Sequence, residues 1–462
     1  MNGPSIRLND RKRFVFAAAM AAVFLLLAGG TSALANTVWC VTKTGVYPYS
    51  TCTKATTFST ISAALLAPPA PQDVIVVGPG TYNESVSITI PNLSLLGAQA
   101  GRDARVDRHD SAKESIVDAT GQGGGPGGGA AFYVVARNVV IDGFTIQGGS
   151  GGTNGAGIYV SSAAAFPTAI LNNIIQNNAV GVFLNLGQLV LIKNNLFKTN
   201  NAGEAGSSEI DFAGMAGFGI AGYGGDEGTA ITDNAFEGNL AAAMALYGGT
   251  FVEVTKNTSK NDGSFLVFTG GGVSFIRHNQ GQDFGAKGFL PIPRTSPPGG
   301  YADAAIDVGN GSAGLEINDN DLEEGKTPGY NGIGFSAIFG VTPSAFNQVS
   351  GNSIKRFAGN GIVAEASSGT GMLAQSEILG NDLEDNGNDG ILIEAAATSG
   401  NLSNSLLHNQ AEGNRNLDCE DDTNGSTLSP PVTGTLGTAN TWFNNIGSSS
   451  LPAGLCAPGR GH

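Results

Sequence analysis

One short phrase recurs along most of this chain and limits what it can fold into: an apolar pair, an Asn one to three residues on, then usually another apolar residue. It reads AILNNIIQNN from 169, VLIKNNLFKTN from 190, AITDNAFEGN from 230, VEVTKNTSKN from 252 and SFIRHNQGQ from 274. It continues as LEINDNDLEEG from 315, NQVSGNSIKRF from 347, SEILGNDLEDN from 376 and SLLHNQAEGN from 405. Aligning the phrases puts Asn173, Asn195, Asn234, Asn257, Asn279, Asn320, Asn352, Asn381 and Asn409 at one structural position, with gaps of 22, 39, 23, 22, 41, 32, 29 and 28 residues. A gap near 22 suits one coil of a three-sided solenoid built from short strands. The longer gaps are insertions or, in the two longest cases, a second, degenerate coil.

The chemistry of the phrase fits stacked coils. A strand of about four or five residues points alternate side chains inward, and stacking buries them in one continuous core. Asn tolerates left-handed backbone at a corner, and its amide can hydrogen-bond to the Asn one coil away, so the nine Asn residues are read as a structural ladder. Between them runs a second strand signal: GIYV at 157, GVFL at 181, MALY at 244, FLVF at 265, GFSAIF at 334, GIVAEA at 361 and GILIEAA at 390. Gly opens most of these strands, as a turn position requires. Composition agrees with an all-β chain: there are 70 Gly and only 13% charged residues, while 41% apolar residues in short blocks exclude disorder. A propeller or sandwich would instead need antiparallel hairpins with two-residue Asn-Gly or Asp-Gly loops. The expected fold is therefore all-β, a right-handed parallel β-helix of about ten to twelve coils with capped ends.

The ends of the chain carry the address. Arg7, Arg11, Lys12 and Arg13 precede an apolar run from Phe14 to Ala28, and Ala33-Leu34-Ala35 offers small residues for cleavage, so residues 1–35 read as a signal peptide and the mature chain starts near Asn36. That run is shorter than the roughly 18 residues that span a bilayer. Four cysteines allow three connectivities. Their clustering, two near each end, favours Cys40 with Cys52 and Cys419 with Cys456, consistent with a secreted or cell-surface protein. Losing the four basic residues and Asp10 takes the formal charge from -15 to -18, which disfavours nucleic acid and anionic lipid as partners. Neutral sugars, cationic partners, or anionic polymers bridged by a divalent cation remain.

FSTISAALLA at 58, DVIVVGPGTYNESVSI at 73, LSLLGAQAG at 93 and VVIDGFTIQGG at 139 resemble the opening coils of the pectin-lyase-like, NosD-like family of exported bacterial β-helix proteins. The resemblance covers roughly 56–415 and implies a short helix over the open N-terminal end. It assigns 36–415 to the β-helix and 416–462 to a C-terminal cap. It is specific for fold, because the family's catalytic signatures are missing. The only adjacent Asp pair is Asp421-Asp422, no Trp-Ile-Asp-His or Asp-Pro-His phrase occurs, and both Trp residues lie at the chain ends. The turn Gly80 to Glu84 is shared with methylesterase-like members, whose catalytic phrase has only a shadow in EIDFAGMAG at 209.

Chemistry would then sit in the two long gaps, at 200–229 and 282–304, because flat coils cannot wall a ligand whereas insertions can. The first holds Glu204, Glu209, Asp211, Asp226 and Glu227; the second holds Asp283, Lys287, Arg294, Tyr301 and Asp303. Glu209, Asp211, Asp226, Lys287 and Arg294 are the candidates for acid, base or ligand contacts on a glycan. Glu204 and Asp303 are the candidates for calcium, the one cofactor the pattern admits. A second acidic group, Asp303, Asp307, Glu316, Asp319, Asp321, Glu323 and Glu324, reads as surface charge on a coil edge. Three functions compete: a passive exported protein that binds extracellular polysaccharide, a polysaccharide-active enzyme, and a metal-processing accessory.

Overall fold

The computed structural model describes residues 37–459 apart from 44–51, 54–55, 68, 107, 109, 124–127, 151–154, 165–166, 202–216, 225, 286–302, 338–339, 398 and 428–430. Each coil runs through three strands, as in Ala169–Leu171, Ile174–Gln176 and Val180–Asn185. Like strands of successive coils pair in parallel, giving sheets of 15, 14 and 13 strands that we name A, B and C in coil order. The core is a set of stacked columns. In sheet A the inward position is Ile170, Ile192, Ile231, Val254, Ile276, Ile317, Val349, Ile378 and Leu406, all fully buried. Burying each such side chain contributes roughly 1.5–3 kcal/mol. This is the expected parallel β-helix, but sheet B counts 14 rungs because strands before 118 and after 418 extend all three sheets. The sheets do not stop at 415.

The nine aligned Asn residues do form one ladder, at the corner between sheets A and B. The backbone N–H and Nδ2 of Asn173 both donate to Oδ1 of Asn195, at 2.8 and 3.1 Å, and the pattern repeats through Asn234, Asn257, Asn279, Asn320, Asn352, Asn381 and Asn409. Asn445 ends it. Each amide also donates to a backbone carbonyl of the coil before, as Asn279 does to Val254 at 3.0 Å. So the ladder amides are satisfied internally.

A second ladder stands at the corner between sheets B and C, five residues on in sequence. Asn178, Asn200 and Asn239 bond in series and end on Asp262; Asn386 and Asn414 resume it near the C terminus. Between them Phe284, Gly325 and Phe357 take the position. There the core is filled by the rings of Phe284, Tyr330 and Phe357, stacked 6.3 and 6.4 Å from Phe357. The glycines that open the sheet C strands have a different cause from the expected turn geometry. A Cβ on Gly181 would sit 2.4 Å from the Gly219 carbonyl oxygen and one on Gly361 2.7 Å from that of Gly390, so neighbouring coils leave no space for a side chain.

The two longest gaps are insertions within single coils. Leu196–Lys198 pairs directly with Ala235–Glu237, and Gln280–Phe284 with Asp321–Gly325. Both insertions leave sheet B and return to sheet C, at Phe218–Tyr223 and Ala304–Gly309. The outer face of sheet C is apolar and buried over several coils, where Tyr159, Phe183, Phe218, Ala245 and Val267 form a cluster separate from the main core.

The N-terminal end is covered by the helix Ile61–Leu66. Its first amides are capped by Glu84, whose carboxylate accepts from the N–H groups of Ile61 and Ser62 at 2.9 Å. Tyr82 of the same turn is buried and donates to the Gly78 carbonyl at 2.9 Å, so the Gly80 to Glu84 motif is structural. Disulfides join Cys40 with Cys52 and Cys419 with Cys456, at Cα separations of 5.8 and 6.1 Å. Among the described residues no helix is long and apolar enough to cross a membrane. The proposed signal peptide lies outside the described residues.

Candidate functional site

In sheet B, two of every three strand residues face solvent, so successive coils build two outward rows in register. One row is Ala235, Thr258, Gln280 and Asp321; the other is Glu237, Lys260, Gln282 and Glu323. Rows of this kind repeat at the strand spacing of about 4.8 Å. Together they line a depression of about 320 Å³ on the coils between the two insertion corners. Amide, hydroxyl, ammonium and carboxylate groups all face it, which supplies donors and acceptors to a single extended ligand.

Charges from neighbouring coils fix the rims. Lys198 lies 3.7 Å from Glu237, and Arg356 contacts Glu323 directly and lies 3.7 Å from Glu324. Beyond the rim Lys355 bridges Asp382 and Glu384 at 3.0 and 2.9 Å. Hydrogen bonding to Glu384 and then to Asp382 raises its pKa. Beneath the floor, Ser259 donates to Asp262 at 2.6 Å. Burial pushes the Asp262 carboxyl up to about 7, against the lowering effect of its hydrogen bonds from Ser259 and Asn239. An Asp ends this ladder because it can accept from Asn239 but has no amide to pass on to the coil that carries Phe284.

Of the residues singled out from sequence, Glu204, Glu209, Asp211, Lys287, Arg294 and Tyr301 lie outside the described residues. Asp226 is fully buried: its carboxylate occupies the core space left by Gly222, where a Cβ would lie 2.1 Å from Oδ2. Neither of its oxygens has a hydrogen-bond partner, and burial pushes its pKa well above the usual carboxylate range. It does not reach the depression. Asp303 lies just before the sheet C strand Ala304–Gly309, and Asp307 lies within it, buried and accepting from Ser336 at 2.5 Å. The second acidic group is thus divided: Glu316 faces out from sheet A, Asp321 and Glu323 from sheet B. The Asp421-Asp422 pair begins in a sheet C strand, and Asp421 accepts from the Trp442 indole at 2.8 Å, which holds the last coil. Beside it, burial and the charges of Asp389 and Asp422 push Glu420 up to about 7. Among the described residues no group of three or more His, Cys, Asp or Glu side chains is placed to hold a metal ion. Sequence reasoning missed the sheet B rows, although their signal is the x-apolar-x triplet that follows most ladder Asn residues, with Ser259 and Gly281 in the middle position after Asn257 and Asn279.

A family model described as a right handed beta helix region matches residues 217–416. The chain has the right-handed parallel β-helix fold. A second model, for a protein of unknown function (DUF1565), matches residues 45–245 of this β-helix protein. Among solved structures, a lacto-N-biosidase from Eubacterium ramulus is 9% identical, with 89% of this chain and 67% of that one covered at a TM-score of 0.51. A periplasmic alginate epimerase is 11% identical, covering 82% and 77% at 0.47. At such identities the likeness is one of fold. No protein of curated function matches the sequence.

Proposed function

We propose that this protein is exported and binds an extended polysaccharide along the outer face of sheet B, as a binding protein and not as a catalyst. The observation that carries the reading is the polar depression itself, with Thr258, Lys260, Gln280, Gln282 and Asp321 in register on successive coils. Gln and Thr both donate and accept, which matches sugar hydroxyls, and repetition along the solenoid axis suits a polymer better than a compact ligand. Binding is favoured over catalysis because two of the three lining carboxylates, Glu237 and Glu323, are engaged by Lys198 and Arg356 on an open face. An acid and base pair needs carboxylates in contrasting environments, one held protonated and one ionised. Two disulfides agree with an oxidising compartment. Calcium belongs to this reading only if the polymer is a uronate.

The test is an array of neutral and uronate oligosaccharides probed with the mature protein, with and without a calcium chelator. Replacing Lys260 and Gln282 together by Ala should weaken the best binder at least about tenfold, a loss of 1.4 kcal/mol or more. An unchanged affinity in that double variant contradicts the site, and turnover of the bound glycan contradicts the passive reading.

A further inference from the structure

Just before several of the sheet A strands, the coil turns through a left-handed residue. Leu189, Gly228, Phe251, Gly314, Phe346, Gln375 and Ser403 share this position, with φ between 48° and 73°. Gly meets the demand without strain, whereas a bulky side chain is disfavoured there. Phe346 meets it with φ 57° and leaves its ring 66% exposed, while most large rings of this chain are buried. Phe251, at the same position with φ 55°, is less exposed, at 41%. One coil earlier the same position is Gly314, so nothing projects beside the ring on that side.

The gap opens a depression of about 570 Å³ on the outer face of sheet A, larger than the one on sheet B. Gln348, Gln375, Glu377 and Ser405 stand around it, and the Gln348 amide donates to the Glu377 carboxylate at 3.2 Å. Among the described residues no Lys or Arg lines it directly, in contrast to Lys260 on sheet B, although the Arg277 guanidinium lies 4.5 Å from the ring centroid of the lining Phe275. An exposed ring edged by amides, hydroxyls and the two carboxylates of Glu316 and Glu377 offers an apolar face and hydrogen bonds to the same ligand, and the carboxylates disfavour an anion.

We propose that this depression is a second carbohydrate subsite, on a different face, which takes an uncharged pyranose unit stacked on Phe346. Its ligand class rests on the reading of the protein as a glycan binder, but its location does not depend on the sheet B site.

Titration of the mature protein with neutral hexasaccharides (cello-, malto- and xylo-series) and with a galacturonate hexamer separates the two. In the Lys260 and Gln282 double Ala background, which removes the sheet B site and should leave neutral binding at this subsite intact, Phe346→Ala should weaken a neutral hexasaccharide at least tenfold, and in the parent Phe346→Ala should leave the galacturonate hexamer unaffected. Phe346→Gly supplies the control for folding: it should lose the same affinity while melting at the same temperature or higher, because it relieves the left-handed strain. Neutral binding that survives both Phe346 variants, or a Phe346→Gly protein that melts lower, overturns the subsite alone. Absence of binding by any of the probes overturns it together with the sheet B reading.

Discussion

The corner between sheets A and B and the corner between sheets B and C solve one problem in two ways. At the first, two residues separate the strands at each ladder Asn from Asn173 to Asn409, and ten Asn residues from Asn173 to Asn445 pass hydrogen bonds along without a break, whereas before the ladder begins the same corner carries the segment 97–114. At the second, the chain between strands varies from the three residues after Gln176 to the long segments after Lys198 and Phe284, and the amide series gives way to Phe284, Gly325 and Phe357. A corner whose buried donors and acceptors are all paired tolerates no insertion, since any displacement would strand several polar groups at once. A corner packed partly by rings and glycines has fewer such obligations. Variation collects there, and the open faces beside it are left free for ligands.

The comparison predicts its largest effect in the unbroken ladder. Asn279→Ala would leave Asn257 N–H, Asn257 Nδ2 and the Val254 carbonyl without their partner. At roughly 1–3 kcal/mol for each stranded group, partly relieved by water, the loss should be about 3–5 kcal/mol in denaturant unfolding. A loss below about 1 kcal/mol would show that the corner does not carry the fold.

A smaller effect is expected where the second ladder ends. The folded-state pKa of Asp262, about 7, lies above its ordinary value of 3.8, so the folded chain holds this proton more tightly than the unfolded chain does. That stabilisation is complete below pH 3.8 and is lost as pH rises through about 7. Asp226 acts in the same direction. Asp262→Asn should therefore gain about 1–2 kcal/mol at pH 8 and flatten the melting temperature between pH 4 and 7, with the new amide directed toward the Phe236 carbonyl. An unchanged pH profile would mean that Asp262 is not the group that titrates. The smallest effect belongs to the open face. Lys355→Ala removes the bridges to Asp382 and Glu384, which are partly solvated, and should cost only about 0.5–1 kcal/mol, falling further in high salt.

Much of the scaffold could be read from the sequence. The nine Asn residues stack on one edge and the cysteines pair by proximity, because both depend on spacing along the chain. The second ladder was equally present, five residues after the first in QNN, KTNN, EGN and KND, but its members alternate among Asn, Asp, Phe and Gly, so no single residue type marks it. Placement relative to the core was less legible. Asp226 looked like a loop carboxylate, yet it fills the hole left by Gly222, a relation that exists only between two strands of one coil corner. The exposure of Phe346 was likewise not legible, because it depends on a left-handed backbone that no sequence pattern marks.

The central claim is that corner amides carry stability and the sheet B face carries binding, and it is tested most directly by measuring melting temperature and glycan affinity together on two proteins. Asn279→Ala should melt far below the parent, and where still folded should bind with parental affinity. The Lys260 and Gln282 double Ala variant should melt with the parent and lose at least about tenfold in affinity. A double variant that melts as low as Asn279→Ala, or that binds as the parent does, would contradict the account.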